Sequence, residues 1–259
     1  MQPQDDSTLK GLGWRARQNQ IKSLPSMRLY SAFVVLLLVS LASAQPAAAP
    51  AAVQTAVTFD FDWSQGIPWH AYSITVRADG NTHFQGTPAP DTATGGDTDL
   101  FQQDFTMSEA NRSKIFDLAK KLNYFQSDFD SHLKRIAQTG SKTLAYTSAT
   151  AQGSASYNWS QNADVQELSR LFVAIANTLD YGRKLSFQYR FDKLGMDARL
   201  KELEDIRADH HVEELNAIAP ILRKIADDPD MMHISRQAAQ HLLRTLSGPG
   251  QPNTTPAQP

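Results

Sequence analysis

The sequence predicts an α+β fold, an antiparallel sheet in the order ββββαββα with packed helices, followed by a C-terminal three-helix extension. Three observations predict it. Apolar and polar side chains alternate at period two in short runs as far as Trp159, helical spacing follows the fourth and sixth runs, and no strand pattern remains beyond residue 180.

Val57, Phe59, Phe61 and Trp63 alternate with Thr58, Asp60 and Asp62, as a strand with one buried face requires. Tyr72, Ile74 and Val76 repeat the pattern after a Gly66-Ile67-Pro68 turn. Ala78-Asp79-Gly80-Asn81 then marks a hairpin, and register decides its loop. A two-residue loop sets Val76 against His83, whereas a three-residue loop with Gly80 in a left-handed bulge sets Ile74 against Phe84, and this apolar pairing is the one predicted. Asp99, Phe101, Gln103 and Phe105 make a fourth strand after a loop over 86–96. Thr106-Met107-Ser108-Glu109 reads as a capping box opening a helix whose Ile115, Phe116, Ala119 and Leu122 share a face. Leu144 and Tyr146, then Ala155, Tyr157 and Trp159, give two more strands. Gln161-Asn162 leads into a helix carrying Val165, Leu168, Leu171, Phe172, Ile175 and Leu179. The α+β domain is thus placed at 55–180 and the extension at 181–246. In the extension a long helix over 184–209 precedes a helix pair over 213–226 and 233–246, split at Asp227-Asp228-Pro229-Asp230. One helix pair cannot hide both its faces, so the long helix is expected to cover it through Leu194, Leu200, Leu203 and Ile206.

Composition narrows the chemistry. With 25 basic against 27 acidic side chains in 259 residues, the chain lacks the cationic excess that phosphate neutralisation needs, so no nucleic-acid partner is expected. With no cysteine, disulfides, thiolate metal sites and cysteine nucleophiles are excluded. The apolar stretch over 31–44 is shorter than the roughly 20 residues of a spanning helix. Preceded by Lys10, Arg15, Arg17, Lys22 and Arg28 and ending in Ala42-Ser43-Ala44, it suits a signal peptide over 1–44, with Gln45 the first mature residue. Met27 offers an alternative start; retained whole, the segment would anchor the protein in the inner membrane. Cleavage would leave 20 basic against 25 acidic residues and an extracytoplasmic, periplasmic product. Pro/Ala-rich 45–54 reads as a linker and 247–259 as a disordered tail.

Tyr72-Ser-Ile-Thr-Val-Arg-Ala-Asp-Gly80, with a helix ending Lys121-Leu-Asn-Tyr-Phe125, resembles an uncharacterised family of exported bacterial α+β domains over about 69–180. The resemblance implies an extracytoplasmic domain and names no activity. Gln126 to Thr139 departs from that family, lacking its short acidic-aromatic segment. Ala219 to Asp230 with Arg236 to Leu246 resembles a single HEAT repeat, placed at 213–246, which implies a protein-binding surface.

Several groups of residues could carry chemistry. Asp209, His210, His211, Glu213 and Glu214 are the densest set of potential metal ligands, but no second histidine completes a zinc motif, and the group is expected to be a charged surface corner. Ser131-His132-Leu133-Lys134 matches a bare Ser-x-x-Lys pattern without its companion motifs, since Lys142-Thr143 runs on to Leu144 where glycine is required. Asp60 with Asp62 and Asp97 with Asp99 are expected on solvated strand faces. Trp63, Trp69, Tyr72, Tyr157 and Trp159 form an aromatic set able to stack on sugars or peptides, and are expected mainly in the core. No phosphate loop, dinucleotide fingerprint or nucleophile elbow occurs, so no cofactor is expected. The resulting reading is a non-enzymatic interaction or structural module of the cell envelope, partnered by another envelope protein and touching membrane only through its N-terminal segment. The alternative is a periplasmic hydrolase using carboxylate and histidine residues. His70, His83 or His132 gathered with Asp and Ser in a pocket would favour the enzyme, and a continuous apolar groove would favour binding.

Overall fold

The computed structural model describes residues 54–246. The expected signal segment, nearly all of the 45–54 linker and the 247–259 tail lie outside the described residues. Six strands, β1 (Ala56–Asp62), β2 (Trp69–Arg77), β3 (Asn81–Pro88), β4 (Phe101–Thr106), β5 (Ser141–Thr147) and β6 (Gln152–Tyr157), form one antiparallel sheet in the order β4-β3-β2-β1-β5-β6. Ile74 pairs with Phe84 and Gly80 sits at φ 90°, so the hairpin carries the predicted bulged loop. The period-two pattern becomes transverse rows. Phe84, Ile74, Phe59, Leu144 and Ala155 stand in one buried row, while the adjacent row of Asp104, His83, Thr75, Thr58, Ala145 and Ser154 faces away from the helices.

Two helices cover the apolar face. Helix α1 (Glu109–Lys121) buries Ile115, Leu118 and Ala119, and α2 (Ala163–Phe191) buries Val165, Leu168, Phe172, Ile175 and Leu179. Phe172 stacks on Phe59 with ring centroids 5.0 Å apart. The cap of α1 differs from the prediction. Ser108 is the N-cap, accepting from the Asn111 backbone N–H, and Glu109 is already helical, bonding to Arg112 and Ser113. A capping box needs its carboxylate three residues after the cap, and Asn111 stands there.

The helical extension also departs from the predicted spans. Helix α2 runs unbroken through position 180, where the extension was expected to begin. Asp180 pairs with both Arg183 and Lys184 at 2.8 Å, one helical turn on, which supports the helix across the predicted break. Gly182 in that stretch is a packing residue, because a Cβ there would lie 2.4 Å from Cγ2 of Ile218. The chain breaks instead at Asp192, whose side chain accepts from the Gly195 N–H, before α3 (Met196–Ala208). Residues 213–218 are not α-helical: Glu214 is left-handed and Leu215–Ile218 forms a 3-10 turn ahead of α4 (Ala219–Asp227), with α5 (His233–Leu246) following.

These helices enclose a second core of Leu185 from α2, Leu200 and Leu203 from α3, Leu222 and Ile225 from α4, and Ala239 and Leu242 from α5. Leu200 and Leu203 cover the helix pair as expected, but Leu194 is 79% exposed because the break at 192–195 turns it outward. Tyr189 Oη and Lys193 Nζ each donate to Asp228 at 2.8 Å, tying the end of α2 to the α4–α5 turn. Lys193 first, then the Asp230 N–H and Tyr189, hold the Asp228 carboxyl down to about 2. Among the described residues no helix is both long and apolar enough to cross a membrane.

Candidate ligand-binding cleft

Alternation along β5 points Lys142 to the same face as Leu144, between Phe61 on β1 and Tyr157 on β6. A lysine at an inward position is costly unless its ammonium finds partners. Its Nζ donates to the Asn158 carbonyl at 3.0 Å and to the Thr139 carbonyl and hydroxyl at 3.2 Å each, and lies 5.7 Å from the centroid of the Phe61 ring. Among the described residues no carboxylate forms an ion pair with Lys142, and partial burial pulls its pKa below the ordinary lysine value. The loop holding Thr139 reaches this place through Gly140, at φ 90°, where a Cβ would come within 2.7 Å of the Phe61 ring.

Lys142 stands where two cavities, of about 370 and 350 Å³, meet; Trp159, Val173 and Asn177 also line both. The first extends past Tyr157 and Ser169 to Arg170, His210 and His211. The second is walled by Phe61, Trp63, Ile67, Pro68, Trp69 and Tyr72. Among the described residues no Asp or Glu lines either cavity. Tyr157 Oη bonds Ser169 Oγ at 2.6 Å, and burial pushes the phenol up to about 12. Burial first, then Tyr157, likewise raises the Tyr72 phenol. Trp69 Nε1 donates to the Ala176 carbonyl at 3.0 Å, fixing that wall against α2.

The aromatic set singled out in the sequence is therefore divided. Trp69, Tyr72 and Tyr157 are buried core residues, Trp63 is half-buried and Trp159 is exposed, and all five line this cleft. Lys142 had no role in the sequence reading beyond a failed motif; its inward position on the Leu144 and Tyr146 face was the available signal.

The other candidates lie elsewhere or come apart. Asp209 caps the C-terminal end of α3, exposed; His210 and His211 line the cleft, and His210 Nδ1 is 3.8 Å from Glu213. Glu213 is tied to α2 by its backbone, accepting at 2.5 Å from Thr178 Oγ1. Glu214 turns away and is buried at the N-terminus of α1, so the predicted surface corner is in this part interior. Among the described residues no three His, Asp or Glu side chains are grouped as a metal ion would need. Asp60 and Asp62 are exposed on the open face of the sheet, but Asp97 and Asp99 sit in the loop before β4, where the Asp99 N–H bonds the Asp97 carboxylate at 2.9 Å. Ser131 and Lys134 lie in the loop before β5. His83 pairs with Asp104 on the open face, His132 with Asp128 in that loop, and neither lines the cleft; nor does His70. No family model, curated protein or solved structure matches this chain.

Proposed function

We propose that the protein is an exported, non-enzymatic binding module of the cell envelope whose ligand seat is the aromatic cleft beside Lys142. The observation that carries this reading is the junction of two cavities into one cleft with Trp63 and Trp159 on its walls and no carboxylate in its lining. Hydrolysis by carboxylate and histidine needs an acid or base within reach of the substrate. His210 and His211 line the cleft without a carboxylate beside them in its lining, and the two His-Asp pairs at His83 and His132 lie outside it, which favours binding over that rival.

Calorimetric titration of the full chain with 2-naphthylacetamide, a neutral flat ring, tests the seat. Loss of stacking in Trp159→Ala is expected to weaken binding at least about fivefold, since an aromatic contact is worth about 1 kcal/mol beyond the area it buries. Equal affinity for wild type and Trp159→Ala would place the ligand elsewhere. Export is checked separately by N-terminal sequencing of material recovered from the envelope. A first residue near Gln45 is expected; an intact chain held in the membrane fraction would make the segment an anchor.

A further inference from the structure

Resting on the cleft reading, we infer that the ligand is an aromatic carboxylate, its ring in the pocket walled by Trp63 and its carboxylate turned toward Lys142. Charge complementarity argues for the anion. The chain carries more acidic than basic side chains, yet the cleft is lined by Lys142, Arg170, His210 and His211 and by no acid. Such a site repels cations and concentrates anions.

Lys142 gives the more specific argument. Taking a charge out of water is costly unless it is paired or hydrogen-bonded. Here three neutral oxygens and the face of Phe61 orient the ammonium without neutralising it. Those three bonds hold the charge in place, so an arriving carboxylate meets a cation whose position is already set, and part of its desolvation has occurred before the ligand comes. Arg170, which also feels Glu167 one turn back on α2, offers the planar donors that a carboxylate accepts. His210 is engaged at 3.8 Å by Glu213 and so contributes less.

The apolar half sets the rest of the molecule. Phe61, Trp63, Trp69 and Tyr72 wall a volume of about 350 Å³, within the range that small-molecule pockets occupy. Flat rings stack on such walls, and a cavity of this size holds one or two of them.

The test compares three probes on the full chain by calorimetry: 2-naphthylacetate, its neutral amide, and 2-naphthyl phosphate. The acid is expected to bind at least tenfold more tightly than the amide. Lys142→Met should bring the two within about twofold while amide binding persists, and Arg170→Gln should narrow the gap less. Equal affinity of acid and amide for wild type would overturn the charge inference and leave the cleft standing. Tighter binding of the phosphate than of the acid would overturn the carboxylate. Binding of none of the three would remove both the inference and the cleft reading. If Lys142→Met does not fold, the wild-type ratio and the exposed Arg170→Gln variant still decide.

Discussion

Leu222→Asp is expected to melt α3, α4 and α5 while the sheet stays protected. Leu222 is fully buried among Leu185, Leu200, Ile218 and Leu242, every one of them apolar. The substitution forfeits about 1.5–3 kcal/mol of transfer free energy. It also buries a carboxylate among apolar side chains, which costs several kcal/mol more. A sum beyond about 5 kcal/mol rivals the stability of a whole domain. The damage should stay local because the sheet core is a separate cluster, joined to this one by the length of α2, by Ala217, by the Glu214 carboxylate on Ser108 and Asn111, and by two hydrogen bonds at the β4 edge. There Gln103 donates to the Ala217 carbonyl at 2.6 Å and Asn216 to the Thr106 carbonyl at 2.8 Å. Native-state hydrogen exchange on the full chain should show protection lost over 196–246 and the last turns of α2, with β1, β2 and β5 retained. Parallel loss in the sheet would mean that both cores open as one unit. Unchanged protection in α4 and α5 would refute the burial argument itself. Leu222→Ala, which only leaves a cavity, should cost about 2–5 kcal/mol and keep the native exchange pattern.

How much of this was legible in the sequence depends on the range of the interactions involved. The bulged turn at Gly80 could be read because register compares residues only ten apart, Ile74 and Phe84, and one alternative leaves a histidine on the apolar face. The start of α2 could be read because Asn162 caps it locally, accepting from the Asp164 and Val165 N–H groups. Its end could not. Tyr181, Gly182 and the charges around them interrupt the apolar periodicity, and their place in the helix is seen only when Ile218 fills the space above Gly182 and Asp180 holds Arg183 and Lys184. The break at Asp192 was hidden for the opposite reason: Leu194 extends the apolar periodicity of a helix that does not continue. In the cleft, the aromatic spacing was visible, but the role of Lys142 comes from Thr139 and Asn158 reaching it through a loop and a neighbouring strand. One chain position carries no trace of that meeting.

Glu214→Ala is expected to cost about 3 kcal/mol and to fray the first turn of α1, 106 residues away in sequence from Ser108. Its carboxylate accepts the Ser108 N–H at 2.7 Å, the Ser108 hydroxyl at 2.8 Å and the Asn111 amide at 2.6 Å. The acid that a local capping box would take from Asn111's position thus arrives from the segment before α4. It is 6% exposed and lies at the positive end of the helix dipole. Removing it strands three donors, and buried hydrogen bonds to a charged group are worth roughly 1.5–3 kcal/mol each before the surroundings relax. The backbone adds a second effect. Glu214 is held at φ 62°, a conformation costing a non-glycine residue about 1 kcal/mol, which glycine avoids. Glu214→Gly should therefore be more stable than Glu214→Ala by about that amount, although both lack the carboxylate. Glu214→Gln keeps one acceptor oxygen but turns an NH2 group toward donors, and should fall between wild type and Glu214→Gly. Urea unfolding of the four proteins, with exchange rates for the amides of residues 109–112, measures both effects. An alanine variant within 0.5 kcal/mol of wild type, judged against the usual scatter of surface substitutions, would mean that water serves α1 as well as Glu214 does. An alanine variant matching the glycine one would show that the left-handed backbone at this position stores no strain.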